Sequence, residues 1–266
     1  MSRLRRLLRN AVWWIRDYAY AVAWQARGVL SRRAPDDYLD GDRRPIVVLP
    51  GIWETWSFLR PIIDPLHERG HPLHVLTGLG RNGRPVARTA EDVATYLAEH
   101  HLRDVVIVAH SKGGLVGKYV MTELDPEGRV DRMVAVSTPF GGSRYAPYLV
   151  LRSLRAFSPR NATTLLLSSR AGANARITSV FGLFDPHIPE GSMLEGAVNV
   201  RIETGGHFRI LSDLETLAAV VTAVSAEERS SADPAGRDPS GRDPSGRDTA
   251  GRDPAGRDTA GRDPSG

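Results

Sequence analysis

Apolar positions along the chain change period twice. Between residues 45 and 202, six short β-branched runs recur: Pro45–Leu49, Pro72–Thr77, Asp104–Ala109, Met133–Ser137, Arg176–Gly182 and Ala197–Ile202. Runs that stay apolar at successive positions suit strands covered on both faces. Stretches with helical spacing separate them. Ala90–His101 has Thr89 and Asp92 spaced as an N-terminal capping box. Lys112–Leu124 follows the third run directly, and Leu211–Ser225 closes the region with an amphipathic pattern. Strand–helix alternation of this kind predicts an α/β fold, a mostly parallel sheet covered by helices on both faces.

Residues 1–33 carry a different pattern. Leu4, Leu7, Leu8, Ala11, Val12, Ile15, Ala19, Val22, Ala23, Ala26 and Leu30 form the i, i+3, i+4 stripe of an amphipathic helix. Arginines hold the other side, and Trp13, Trp14, Trp24, Tyr18 and Tyr20 lie among them. Two arrangements use such a stripe: contact with an anionic membrane surface, or packing on the protein's own surface or a partner. Arg16 and Asp17 interrupt the uncharged stretch, which argues against a spanning helix and against a cleaved signal peptide. The expected location is cytoplasmic and peripheral at the membrane, with secretion left open.

The C-terminal segment, 229–266, contains six copies of a five-residue GRDxx unit from Gly236 onward. It holds no aromatic residue and no aliphatic larger than alanine, so it is read as disordered. The expected organisation is therefore a basic helix over 1–33, a folded domain over 34–228 and a repeat tail over 229–266.

Charge follows the same division. The formal net charge of +4 combines +7 on residues 1–33, −3 on residues 34–228 and zero on the tail. A nucleic-acid-binding domain concentrates positive charge on its folded part. The slightly acidic folded part here argues against a nucleic-acid partner. The absence of cysteine excludes disulfides, thiolate metal sites and a cysteine nucleophile. No histidine–carboxylate spacing suggests a metal, and no cofactor is expected.

The segment DVVIVAHSKGGLVGKYVM, 104–121, carries the chemistry. A buried run enters Ala109-His110-Ser111-Lys112-Gly113 and passes straight into a helix. This small-x-Ser-x-Gly elbow lifts a serine hydroxyl above a sheet at a helix N-terminus. The Lys112 backbone N–H then points at a developing oxyanion. The Pro50-Gly51-Ile52 turn after the first run supplies Ile52 as a second backbone donor, with Trp53 next. Trp53 and Trp56 are expected to line an acyl pocket or to pack the following helix. The Lys112 side chain is either solvated or a cation beside the site, and His110 packs beside the elbow.

A serine nucleophile needs a base, and the base needs a carboxylate. Downstream of Ser111 stand only His187 and His207. His207 follows the Gly205-Gly206 pair just past the last run, which would let a loop bring the ring over the serine. Asp185 lies just past the fifth run and is the preferred acid, with Glu203 and Asp213 as alternatives. His187 falls near that acid.

These segments resemble the α/β-hydrolase family, and its minimal bacterial lipases and esterases most of all. LPGIW, AHSKGG, STPFGG at 137–142 and the FDPHIP…GGH pair carry the resemblance, which covers about residues 45–225. It implies a six-stranded core and an ester hydrolase acting on lipid or acyl esters. Thioesterase, acyltransferase and peptidase chemistry use the same machinery, and a non-catalytic membrane-associated scaffold is the contrasting class. Residues 144–172 would form either a small lid or an ordinary crossover helix.

Overall fold

A computed structural model describes residues 3–30 and 33–226, so the repeat segment lies outside the described residues. Six strands form one sheet: β1 (Ile46–Leu49), β2 (Leu73–Val75), β3 (Val105–His110), β4 (Val130–Val136), β5 (Ile177–Phe184) and β6 (Val198–Gly205). Their spatial order is β2-β1-β3-β4-β5-β6, and every pair is parallel. Parallel neighbours require crossovers, and helices supply them.

Seven helices accompany the strands among the described residues: α1 (Arg3–Leu30), α2 (Arg60–His67), α3 (Val86–Glu99), α4 (Lys112–Tyr119), α5 (Arg152–Arg155), α6 (Ala162–Ser169) and α7 (Leu214–Val224). Side chains alternate across the sheet. Val47, Leu49, Ile107 and Ala109 enter a core under α3, α4 and α6. Ile46, Val48, Val106 and Val108 enter the opposite core, under α1, α2 and α7. Both faces of the central strands are dry, which is why their sequence reads as continuous apolar runs.

The expected elements differ from the observed ones mainly at their ends. β4 starts at Val130 although Asp131 and Arg132 follow. The Asp131 carboxylate accepts from Arg44 and Arg132, so charged residues are tolerated in the strand. α3 starts at Val86, not Ala90. Thr89 is no cap: it is buried inside the helix, its hydroxyl donating to the Pro85 carbonyl. Pro85 lies just outside the helix and sets its start. α4 widens into a π turn over Val120–Leu124. Asp213 caps α7 by accepting from the Glu215 N–H at 3.0 Å. That role removes it as the alternative acid. Glu203 lies exposed on β6, 3.7 Å from Arg201, and also falls away. The 144–172 stretch divides into a short 3-10 turn over Ala146–Tyr148, α5 and α6.

Helix α1 packs on the domain through one face only. Its apolar stripe faces outward: Leu7, Val12, Ile15 and Val22 are each more than half exposed. The face packed on the sheet carries Trp13, Asp17, Tyr20 and Trp24 instead. The Trp13 ring lies so close to Gly205 that a β-carbon there would sit 2.1 Å from it, and Tyr20 meets Phe58 edge-on. Thus the helix packs on its own domain, through the side opposite the stripe.

Candidate active site

Ser111 stands between the end of β3 and the first turn of α4, with φ 50° and ψ −119°. Holding a non-glycine residue at positive φ costs about 1–3 kcal/mol and persists only where neighbours enforce it. Gly113 is one such neighbour, since a β-carbon there would meet the Leu49 carbonyl at 2.1 Å. The β1 end can therefore pass directly beneath the elbow. Ser111 Oγ donates to His207 Nε2 at 2.9 Å. His207 Nδ1 donates to Asp185 Oδ2 at 2.7 Å, which fixes the tautomer. The other carboxylate oxygen of Asp185 accepts the His187 and Ile188 backbone amides at 2.7 and 3.0 Å. All three side chains are buried.

Electrostatics of the pair match that geometry. Burial disfavours charge on the His207 ring, but the Asp185 carboxylate beside it more than compensates, and its pKa lies above the ordinary histidine value. Burial likewise pushes Asp185 up, and the His207 charge and hydrogen bond reverse this, leaving it below the ordinary aspartate value. His187 stacks on His207 with ring centres 4.7 Å apart. Burial and the His207 charge push it down to about 3, so it stays neutral beside its partner.

The loop carrying His207 is held from outside the sheet. Asp17 of α1, fully buried, accepts the backbone N–H groups of His207 at 2.9 Å and of Phe208 and Arg209 at 2.8 Å each. The Gly205-Gly206 pair is required by this approach: a β-carbon on Gly206 would lie 2.5 Å from Asp17 Oδ1. A second buried carboxylate, Glu54, accepts the Gly51 amide at 2.7 Å and pairs with His110 Nδ1 at 2.9 Å. His110 Nε2 donates to the His207 carbonyl at 3.0 Å. His110 thus bridges the β1 loop to the histidine loop rather than merely filling space.

Ser111 opens into a cavity of about 460 Å³ walled by Ile52, Trp53, Leu149, Leu154, Phe157 and Phe208. Of the two tryptophans, Trp53 borders this cavity and Trp56 does not. A 3-10 turn over Trp56–Leu59 carries Trp56 away from the cavity, onto Tyr38. Ile52 borders the cavity, and Lys112 begins α4, so its amide falls among the unpaired donors of a helix start. The Lys112 side chain is neither solvated nor a cation at the mouth. It is buried, with Nζ donating to Asn82 Oδ1 and to the Asn82 and Arg84 carbonyls. Burial first, and the Arg84 charge second, bring it down to about 8. Among residues 144–172, Tyr145, Ala146, Leu149, Leu154 and Phe157 wall the cavity.

No protein-family model matches the chain. Solved structures do match. A Paleococcus ferrophilus monoacylglycerol lipase is similar at 16% identity and TM-score 0.51, covering 71% of this chain and 96% of its own. Mouse alpha/beta hydrolase domain-containing protein 10 matches at 11% identity and TM-score 0.50, over 72% and 92%. MGS-MChE2, an alpha/beta hydrolase from a lagoon-sediment metagenome in Morocco, matches at 16% and 0.50, over 71% and 94%. This is the α/β-hydrolase fold.

In this hydrolase fold the serine follows β3, the acid follows β5 and the histidine follows β6. Sequence reasoning missed Asp17, Glu54 and Tyr18. The Tyr18 hydroxyl and His187 Nε2 are hydrogen bonded at 2.9 Å, and Tyr18 borders the cavity. Asp17 had one available signal: it is the sole acid of a +7 segment and lies opposite the apolar stripe. Glu54 had a weaker one, an acid three residues beyond the turn glycine Gly51 in an otherwise uncharged loop.

Proposed function

We propose that the protein is a serine hydrolase that cleaves carboxylic esters with an apolar acyl group. The carrying observation is the hydrogen-bonded chain Ser111–His207–Asp185 at a strained elbow, open to an apolar-walled cavity. Ser111 Oγ attacks the ester carbonyl while His207 Nε2 takes its proton. Asp185 holds the imidazolium. The Ile52 and Lys112 amides stabilise the oxyanion of the tetrahedral intermediate. His207 passes the proton to the leaving alcohol, leaving an acyl group on Ser111. Water, deprotonated by His207, then attacks that acyl carbon and releases the acid.

The Paleococcus ferrophilus protein is by name a monoacylglycerol lipase. An apolar acyl ester is the substrate class that the walls of this cavity suit. A fluorophosphonate probe is expected to label Ser111, and p-nitrophenyl acyl esters to be hydrolysed. Ser111→Ala is expected to lower turnover by on the order of 10⁴-fold or more. Wild-type-like turnover in that variant overturns the reading.

A further inference from the structure

Helix α1 presents two faces of opposite kind. The inner face carries Asp17, whose carboxylate is consumed by three backbone amides. The outer face is apolar and uncovered: Leu4, Leu7, Leu8, Val12, Ile15 and Val22 are 52 to 69% exposed. At 100° per residue, Arg5, Arg16 and Arg27 lie along one edge of that face, and Trp14 and Tyr18 along the other.

The aromatic edge leads to the cavity. Trp14 shares a surface cleft with Tyr145, and Tyr18 shares the Ser111 cavity with Tyr145 and Leu149. Beyond them the rim is again apolar and uncovered: Tyr148 is 86% and Val150 90% exposed, with Leu149 and Leu151 beside them. Patches of this extent on a folded chain mark an interaction surface.

We propose that α1 docks the protein, lying flat, on an anionic lipid surface, with the mouth of the Ser111 cavity against that surface. Charge selects this occupant. Residues 1–33 carry a net +7, and their single acid is buried out of reach. A second copy would bring one segment of net charge +7 against another, whereas anionic headgroups complement that charge. Aromatic rings at the boundary of an apolar helix face suit the headgroup level. Among the described residues no helix is long and apolar enough to cross a membrane, so the geometry is that of a helix lying in the interface. The use of the mouth rests on the ester-hydrolase reading; the docking does not.

Flotation of the full chain with phosphatidylglycerol-containing vesicles, and with pure phosphatidylcholine vesicles, tests this. Wild type and Ser111→Ala are expected to float with the anionic vesicles and not with the neutral ones. The triple variant Leu8→Glu, Val12→Glu, Ile15→Glu is expected to bind at least about tenfold more weakly while hydrolysing a short soluble ester as wild type does. Val22→Glu alone gives the same direction if the triple variant fails to fold. Absent flotation of wild type, equal flotation with neutral vesicles, or unchanged flotation of a folded variant overturns the docking. A concentration-dependent dimer abolished by the same substitutions, without flotation, assigns the face to self-association and also overturns it. Flotation without ester hydrolysis leaves the docking standing and removes the ester reading alone.

Discussion

Asp17 and His207 stand 190 positions apart and are joined by a 2.9 Å hydrogen bond from the histidine's backbone amide to the carboxylate. Two further amides share that carboxylate, so a helix outside the sheet holds the loop that places the imidazole. Asp17→Ala leaves three donors without their charged partner. A loss of about 3 kcal/mol in urea unfolding is expected. Turnover is expected to fall with KM little changed, because the loop positions the base and not the acyl group. Asp17→Asn keeps one acceptor oxygen and should recover part of both losses. Unchanged turnover in a folded Asp17→Ala variant would refute this positioning role.

The pH profile follows from the His207–Asp185 pair. In the proposed mechanism His207 is the base, which requires it neutral, and Asp185 raises its pKa above the ordinary 6.5. The value of kcat/KM is therefore expected to rise with pH through a single ionisation whose midpoint lies above 6.5. Asp185→Asn removes the charge that raises it. The midpoint should then fall, and the rate should drop on the order of 10³-fold or more through loss of the tautomer lock. Steady-state kinetics across pH on both proteins read this directly.

His187 predicts the acid limb of stability. Its folded-state pKa of about 3 lies below its ordinary 6.5, so the unfolded chain binds the extra proton between those values. Stability must therefore fall as pH drops from about 6.5 toward 3. At full value the contribution is about 5 kcal/mol. His187→Gln retains a partner for the Tyr18 hydroxyl and should flatten that slope. Urea midpoints measured across this pH range, with wild type as steep as the variant, would refute it.

Much of the architecture was legible because both sheet faces are dry. The runs around Val47, Ile107 and Val134 are short, β-branched and apolar throughout, which suits buried strands. The Ser111 elbow was legible because its geometry demands small residues at fixed offsets. What escaped were features made by distant segments meeting. Nothing local in Arg16-Asp17-Tyr18 reports that a glycine pair near residue 205 awaits the carboxylate. The stripe of α1 was read correctly as amphipathic, yet its apolar side faces out. Periodicity gives the two faces of a helix and not which of them the domain buries. Trp56 stayed open between pocket and packing for a similar reason, since a single 3-10 turn decides that its ring meets Tyr38.

Lys112 separates backbone from side chain at one position. Its amide is assigned to the oxyanion, while its ammonium ties Asn82 and Arg84 beneath the surface. Lys112→Met keeps the amide and strands three acceptors. It is expected to cost about 2–4 kcal/mol in urea unfolding. The folded fraction, counted by fluorophosphonate labelling, should keep its turnover within a few-fold. A large loss per labelled site would mean that the ammonium itself acts on the substrate.

Glu54 and His110 form a second buried carboxylate–imidazole pair, and its wiring dictates its role. The His207 carbonyl can only accept, so His110 Nε2 carries the hydrogen that faces it. His110 Nδ1 and Glu54 Oε2 must then share one proton across 2.9 Å, because two lone pairs facing each other would repel. The same Glu54 oxygen accepts the Gly51 amide, one residue before Ile52, the proposed oxyanion donor. The pair therefore fixes the spacing between the proposed oxyanion donor and the backbone of the proposed base. His110→Phe preserves volume and cuts both links. It is expected to lower kcat about 10- to 100-fold with KM nearly constant, since the oxyanion is stabilised only in the transition state. Glu54→Gln keeps a hydrogen-bonding group toward His110 and should lose less. A rise in KM at unchanged kcat would show instead that the pair only shapes the acyl cavity.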